Sequence, residues 1–133
     1  MPEFAASQAA DLLRRTGFQA NRVCSQGNAI SIHDLRVSIR RLTECLRVFG
    51  PLLPRDGAKK VRRRLRTAMD LASQVRNRDI AAELLRRAAA PPDSPILQAL
   101  AAERTEAAHA LAAELKRWRN RGVQKKWRAR LGV

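Results

Sequence analysis

The sequence predicts an all-α protein, an antiparallel four-helix bundle, and three observations carry that reading. Apolar residues recur at helical spacing through four long segments, and no stretch alternates with period two over a useful length. Glycine and proline clusters separate the segments at short intervals, which makes successive helices antiparallel neighbours. At 133 residues the chain suits one domain with a modest core. The boundaries drawn are a helical bundle over residues 1–121 and a basic C-terminal tail or short helix over residues 122–133.

The first helix runs from Glu3 to about Ser25, with a thin, alanine-rich stripe of Ala5, Ala9, Leu12, Thr16, Ala20 and Val23. Gly17 inside it costs about 1 kcal/mol relative to alanine. Gln26-Gly27-Asn28 is a turn cluster, and Ser31 is the expected N-cap of a second helix reaching Phe49. On that helix Ile32, Leu35, Ile39, Leu42, Leu46 and Phe49 fall on one apolar face. Gly50-Pro51 and Pro54 stop it, and a third helix opens at Ala58 with Val61, Leu65, Ala68, Ala72 and Val75 as its core stripe. Ile80, Leu84 and Leu85 leave that stripe, which predicts a bend or rotation between Arg76 and Asp79. Pro91-Pro92 is a break, and Ser94-Pro95 is a cap followed by proline at the first helical position. Leu97, Leu100, Ala107, Ala108, Leu111, Leu115 and Trp118 mark the buried side of the fourth helix. From Arg119 to Val133 the chain is basic, carries Trp127 and is interrupted by Gly122, and a short helix and a flexible arm are both open readings.

Charge points to the partner. Lys and Arg number 27 against 12 Asp and Glu, a formal net charge of +15, and arginine supplies most of it. Guanidinium forks bind phosphate oxygens bidentately, so the expected partners are polyanions: nucleic acid, polyphosphate or an anionic membrane surface. Along the second helix His33, Arg36, Arg40, Glu44 and Arg47 form a stripe separate from the apolar face. Like charges at i, i+3 and i, i+4 repel by a few tenths of a kcal/mol per pair unless an anion lies across them. The third helix repeats the pattern with Lys59, Arg62, Arg63 and Arg66, and the short connection makes the two helices neighbours, so two cationic ridges form a groove. Arg104 falls within the apolar stripe of the fourth helix, where it must snorkel outward or meet something negative. Arg78-Asp79 reads either as a plain surface pair or, from its position at the expected bend, as having a structural or site role. Trp118 reads as core, and Trp127, among Lys125, Lys126 and Arg128, is the better candidate for stacking or for an interfacial anchor.

Catalytic readings find little support. His33-Asp34 resembles the dyad of metal-dependent phosphohydrolases, but adjacent helical residues point about 100° apart, and the only other histidine is His109. His33 serves either as a phosphate donor or in a structural hydrogen bond at the helix start. No phosphate-binding glycine loop, zinc-ligand spacing or nucleophile motif is present, so neither an enzyme nor a metal or cofactor is expected. Nucleic-acid binding by the same basic surface is the alternative, though no reading motif accompanies it and the chain has no Tyr, three Phe and two Trp. Cys24 and Cys45 have no partner spacing, which suits a reduced compartment. With no signal peptide and no run of roughly 20 apolar residues visible, a cytoplasmic location is expected.

Two segments, IHDLRVSIRRLTECLRVFGPLL from Ile32 and VRNRDIAAELL from Val75, resemble motifs of the CHAD domain, the conserved histidine α-helical domain. The first has that family's H-x-x-R-V-x-x-R-R run and Leu-Arg-x-Phe helix end, and the second its Arg-Asp motif. The resemblance implies a helical bundle that binds inorganic polyphosphate without established chemistry, with His33, Arg36, Arg40 and Arg41 at the matching positions. The location expected for such a binder is cytoplasmic, with polyphosphate granules as one place of association. Thr43 stands where many members carry another basic residue, and Ala81 where a second acidic one often follows. The chain has about half a typical member's length, so it corresponds to one of the two four-helix halves that such members pair around a basic channel. A homodimer supplying the second half is therefore expected, and Phe4 and Phe18, off the first helix's core stripe, mark the surface it would cover.

Overall fold

The structure is a computed structural model that describes residues 2–133. Five α-helices follow one another: α1 (Glu3–Ser25), α2 (Ala29–Val48), α3 (Arg55–Arg87), α4 (Pro95–Asn120) and α5 (Val123–Leu131), with a 3₁₀ turn at Gly50–Leu52. Among the described residues there are no strands. The four long helices make the bundle, and the helix the sequence left open, α5, caps it by packing on α1, α3 and α4.

The stripes read from spacing form the core on α2 and α3: Leu35, Leu42, Leu46, Val61, Ala68, Ala72 and Val75 are fully buried, with Ile32, Ile39 and Leu65 almost so. On α1 the buried leucine is Leu13, not Leu12, because an alanine-rich stripe leaves the phase loosely fixed. Gly27 turns the chain in the left-handed region (φ 61°), and Asn28 then caps α2, its side chain accepting from the Ser31 amide at 2.9 Å. Ser31 is thus a buried first-turn residue, not the cap, and its hydroxyl donates to the Asn28 carbonyl at 3.0 Å. Thr16 donates to the Leu12 carbonyl, and Arg22 of α1 pairs with Asp34 of α2 at 2.7 Å, fixing which flank of α2 faces α1.

The third helix starts three residues earlier than expected, directly after Pro54, with Asp56 in its first turn where the helix dipole favours a carboxylate. It continues unbroken through Arg76–Asp79 to Arg87. The core stripe stops at Val75 because α3, at 33 residues, outruns the 20 residues of α2. Beyond that level Ile80 and Leu84 are exposed. Ser94 caps α4 as expected, accepting from the Leu97 amide at 3.4 Å.

The tail is a helix. Val123, Trp127 and Leu131, at i, i+4 and i+8, form one buried stripe, and Gly122 (φ 59°) makes the turn from α4. Trp127 is 3 % exposed and meets Trp118 edge to face at a centroid distance of 4.9 Å. It is therefore a core residue with no free ring face, contrary to the stacking or anchoring role expected of it. The end of α5 lies so close to the start of α3 that a Cβ on Gly57 would sit 2.1 Å from the Arg130 carbonyl oxygen. Only glycine allows that approach.

Candidate functional site

Two flanks, one on α2 and one on α3, border the core on the same side of the bundle. On α2, His33, Arg36, Arg40, Thr43 and Arg47 lie within an arc of about 80° on the side away from α1. On α3, Arg62, Arg66, Met69, Ser73 and Arg76 lie within an arc of about 80°. The opposite flank of α3 belongs to α4: Arg64 reaches Glu114 at 2.9 Å, and Arg78 lies 3.5 Å from Glu103 and donates to the Gln74 side chain. With α2 and α3 antiparallel, Arg36 comes level with Arg76, and Arg40 follows one turn along α2.

Arg36 is the focal residue. It is half-buried, and its Nε atom is buried without any hydrogen-bond partner. Burial, then the charges of Arg40 and Arg76, hold its pKa below the ordinary arginine value. An unpartnered buried donor costs free energy in proportion to the hydration it has lost, about 1 to 3 kcal/mol. Arg40 and Arg76, and no carboxylate, are the charges that act on Arg36, which leaves a local positive potential that favours an anion. Glu44, the acidic residue α2 places beside this face, is exposed and pairs with Arg47 at 2.9 Å, lowering the carboxyl pKa and raising that of the guanidinium.

The residues expected in the site are distributed as follows. Arg36, Arg40, Arg47, Arg62 and Arg66 share the α2–α3 face, His33 is exposed at its edge, and Lys59 is exposed about 60° outward of Arg62. Arg41 is exposed about 140° around α2 from Arg36, and Arg63 about 140° around α3 from Arg76, so neither side chain starts on that face. Arg78 faces α4. Arg104 meets something negative inside the protein: its Nε donates to Asp79 Oδ1 at 2.9 Å and its Nη2 to the Gly27 carbonyl at 2.8 Å. It clamps α4 to α3 and to the α1–α2 turn, which also gives Asp79 a structural partner other than its neighbour Arg78. Arg76 was missed, although its spacing of i+14 from Arg62 and i+10 from Arg66 keeps it on the same flank; the bend expected there hid it.

Asp34 is engaged by Arg22, and among the described residues no three His, Cys, Asp or Glu side chains gather as a metal site. Cys24 and Cys45 are free thiols, and burial pushes the Cys45 thiol up in pKa, away from thiolate reactivity. Among the described residues no helix is long and apolar enough to cross a membrane.

A helical bundle with a cationic, carboxylate-poor flank on its second and third helices is the class of protein that these features define. The CHAD domain model matches residues 7–132, nearly the whole chain. The chain belongs to the CHAD domain family. No curated protein and no solved structure matches it.

Proposed function

We propose that the chain binds inorganic polyphosphate along the α2–α3 face and acts as a binding module, not as an enzyme. The observation that carries the reading is the convergence of Arg36, Arg40 and Arg76 around an Arg36 Nε that has no partner. Membership of a family associated with polyphosphate binding supports it. A flexible phosphate chain offers oxygens to successive guanidiniums along the two helices, from Arg36 and Arg76 towards Arg47, Arg62 and Arg66, and presents no bases to read. Lys59 adds charge at one edge, and His33 offers an imidazole N–H donor at the other. Affinity then comes from charge-assisted hydrogen bonds and counterion release and falls steeply with salt.

The test is calorimetric titration with polyphosphate at physiological salt. Replacing Arg36 and Arg40 by Ala costs on the order of 3 to 6 kcal/mol if each loses one charged hydrogen bond of about 1.5 to 3 kcal/mol. Replacing Arg86 and Arg121, both exposed and off this face, costs far less. Equal losses in the two double variants, or competition by DNA as strong as by polyphosphate at matched phosphate concentration, would overturn the reading in favour of diffuse attraction or nucleic-acid binding.

The same proposal includes a homodimer. Phe4 and Phe18 are 70 % and 62 % exposed on α1, and a second copy covering them supplies a second cationic face. Sedimentation showing only monomer at micromolar concentration, with and without polyphosphate, would remove this part. A cytoplasmic, granule-associated location belongs to the proposal too, and is tested by imaging the tagged chain against stained polyphosphate.

A further inference from the structure

A second concavity lies where α1, the end of α4 and α5 meet, and it shares no residue with the α2–α3 face. It is a cleft of about 450 Å³, within the range of roughly 300 to 1,000 Å³ in which proteins hold small molecules. Leu13, Leu115, Trp118 and Trp127, all largely buried, make its wall apolar. Arg119, Lys125 and Arg128 also line it, and no carboxylate does. Gly17 and Gln124 both line it, and the end of the Gln124 side chain lies where a Cβ on Gly17 would come within 3.0 Å of its Oε1.

We propose that this cleft binds a small amphipathic anion, with an aliphatic or aryl body against the apolar wall and a carboxylate or phosphate head at Arg119, Lys125 and Arg128. The two halves of the lining decide the class. A bare phosphate chain gains nothing from leucine and indole, and a neutral apolar molecule leaves three cations without a counterpart. The inference stands apart from the polyphosphate reading, because no residue of the α2–α3 face takes part.

Trp118 and Trp127 are the chain's only tryptophans and both belong to the cleft, so intrinsic fluorescence reports its occupancy directly. The full chain is titrated with decanoate, decyl phosphate and decanol, each below its aggregation limit and at physiological salt. The expected result is a saturable fluorescence change with an anion, at least about tenfold tighter than with decanol. The carboxylate and phosphate arms identify the preferred head. Asn21→Phe, which plugs the mouth from an exposed position on α1, weakens the anion about tenfold or more. Lys125→Gln with Arg128→Gln brings the anion down to the level of decanol, and carries the test alone if Asn21→Phe does not fold. Saturating polyphosphate leaves the titration unchanged. Absence of a saturable change, decanol binding as tightly as the anions, insensitivity to the variants, or displacement by polyphosphate would each overturn the proposal.

Discussion

Replacing Arg36 by Met separates function from stability, because on the proposed reading this residue has opposite roles in the free and bound states. In the free protein its guanidinium is partly desolvated beside Arg40 and Arg76, and its Nε has no acceptor. Methionine keeps most of the stem that packs between the helices. The substitution removes two like-charge contacts worth a few tenths of a kcal/mol each and an unsatisfied donor worth about 1 kcal/mol. Some stem packing is lost in return, so the free variant is expected to be about 1 kcal/mol more stable, a rise of about 4 °C in melting temperature for a chain of this size. In the bound state the same substitution removes one or two charged hydrogen bonds, about 1.5 to 3 kcal/mol each, or at least a tenfold loss of affinity at 1.4 kcal/mol per decade. Thermal unfolding by circular dichroism and calorimetric titration with polyphosphate read the two effects on the same samples. Added salt should raise the melting temperature of the wild type more than that of the variant, because it screens a repulsion that the variant no longer has. A variant less stable than wild type by 1 kcal/mol or more, or one with unchanged affinity, would refute the reasoning.

Four further outcomes are expected. Arg76→Ala weakens polyphosphate binding about as much as Arg40→Ala, on the order of 1.5 to 3 kcal/mol, while Arg78→Ala, on the α4 flank, changes it little; titration of the three variants checks this. Truncation after Arg121 removes Val123, Trp127 and Leu131 from the core and lowers stability by at least about 3 kcal/mol, read by urea unfolding, whereas a tail outside the core would leave stability intact. Gly57→Ala pushes a methyl into the Arg130 carbonyl and costs about 1 to 3 kcal/mol of overpacking, seen as a lower urea midpoint. Glu114 is 2 % exposed; burial raises its pKa, but the Arg117 hydrogen bond, the Arg64 charge and the Trp118 N–H outweigh that and hold it below the usual carboxylate value. Its contribution is therefore complete above the unfolded-state value of about 4.3 and is lost as pH falls through the lower folded value, so Glu114→Gln should flatten the acid limb of the stability profile.

What the sequence made legible was whatever one helix decides by itself. The α2 and α3 stripes were readable because Ile, Leu and Val at fixed spacing set the phase of a helix without reference to its neighbours. On α1 the stripe is mostly alanine, and tertiary packing chose Leu13 over Leu12. Asn28 and Ser31 are both good caps three residues apart, so only the packing of Ser31 into the core separates them. The tail was illegible because Lys125, Lys126, Arg128 and Arg130 surround the three apolar residues that dock, and because the complementary feature, Gly57, lies on α3. The candidate site divides in the same way. Spacing placed Arg36, Arg40, Arg62 and Arg66 on flanks. It did not say which neighbour each flank meets, and Arg104 depends on Asp79 and the Gly27 carbonyl, far away in the chain.

The central claim, that an anionic chain lies on the α2–α3 face and completes Arg36, is tested most directly by nuclear magnetic resonance of the arginine Nε–H groups during titration with polyphosphate. The account predicts that Arg36, Arg40 and Arg76 shift first and most, with Arg36 Nε–H gaining protection from exchange, while Arg104, already bonded within the protein, stays in place. Shifts spread evenly over Arg41, Arg63, Arg86 and Arg121, or an Arg36 resonance that does not respond, would contradict it.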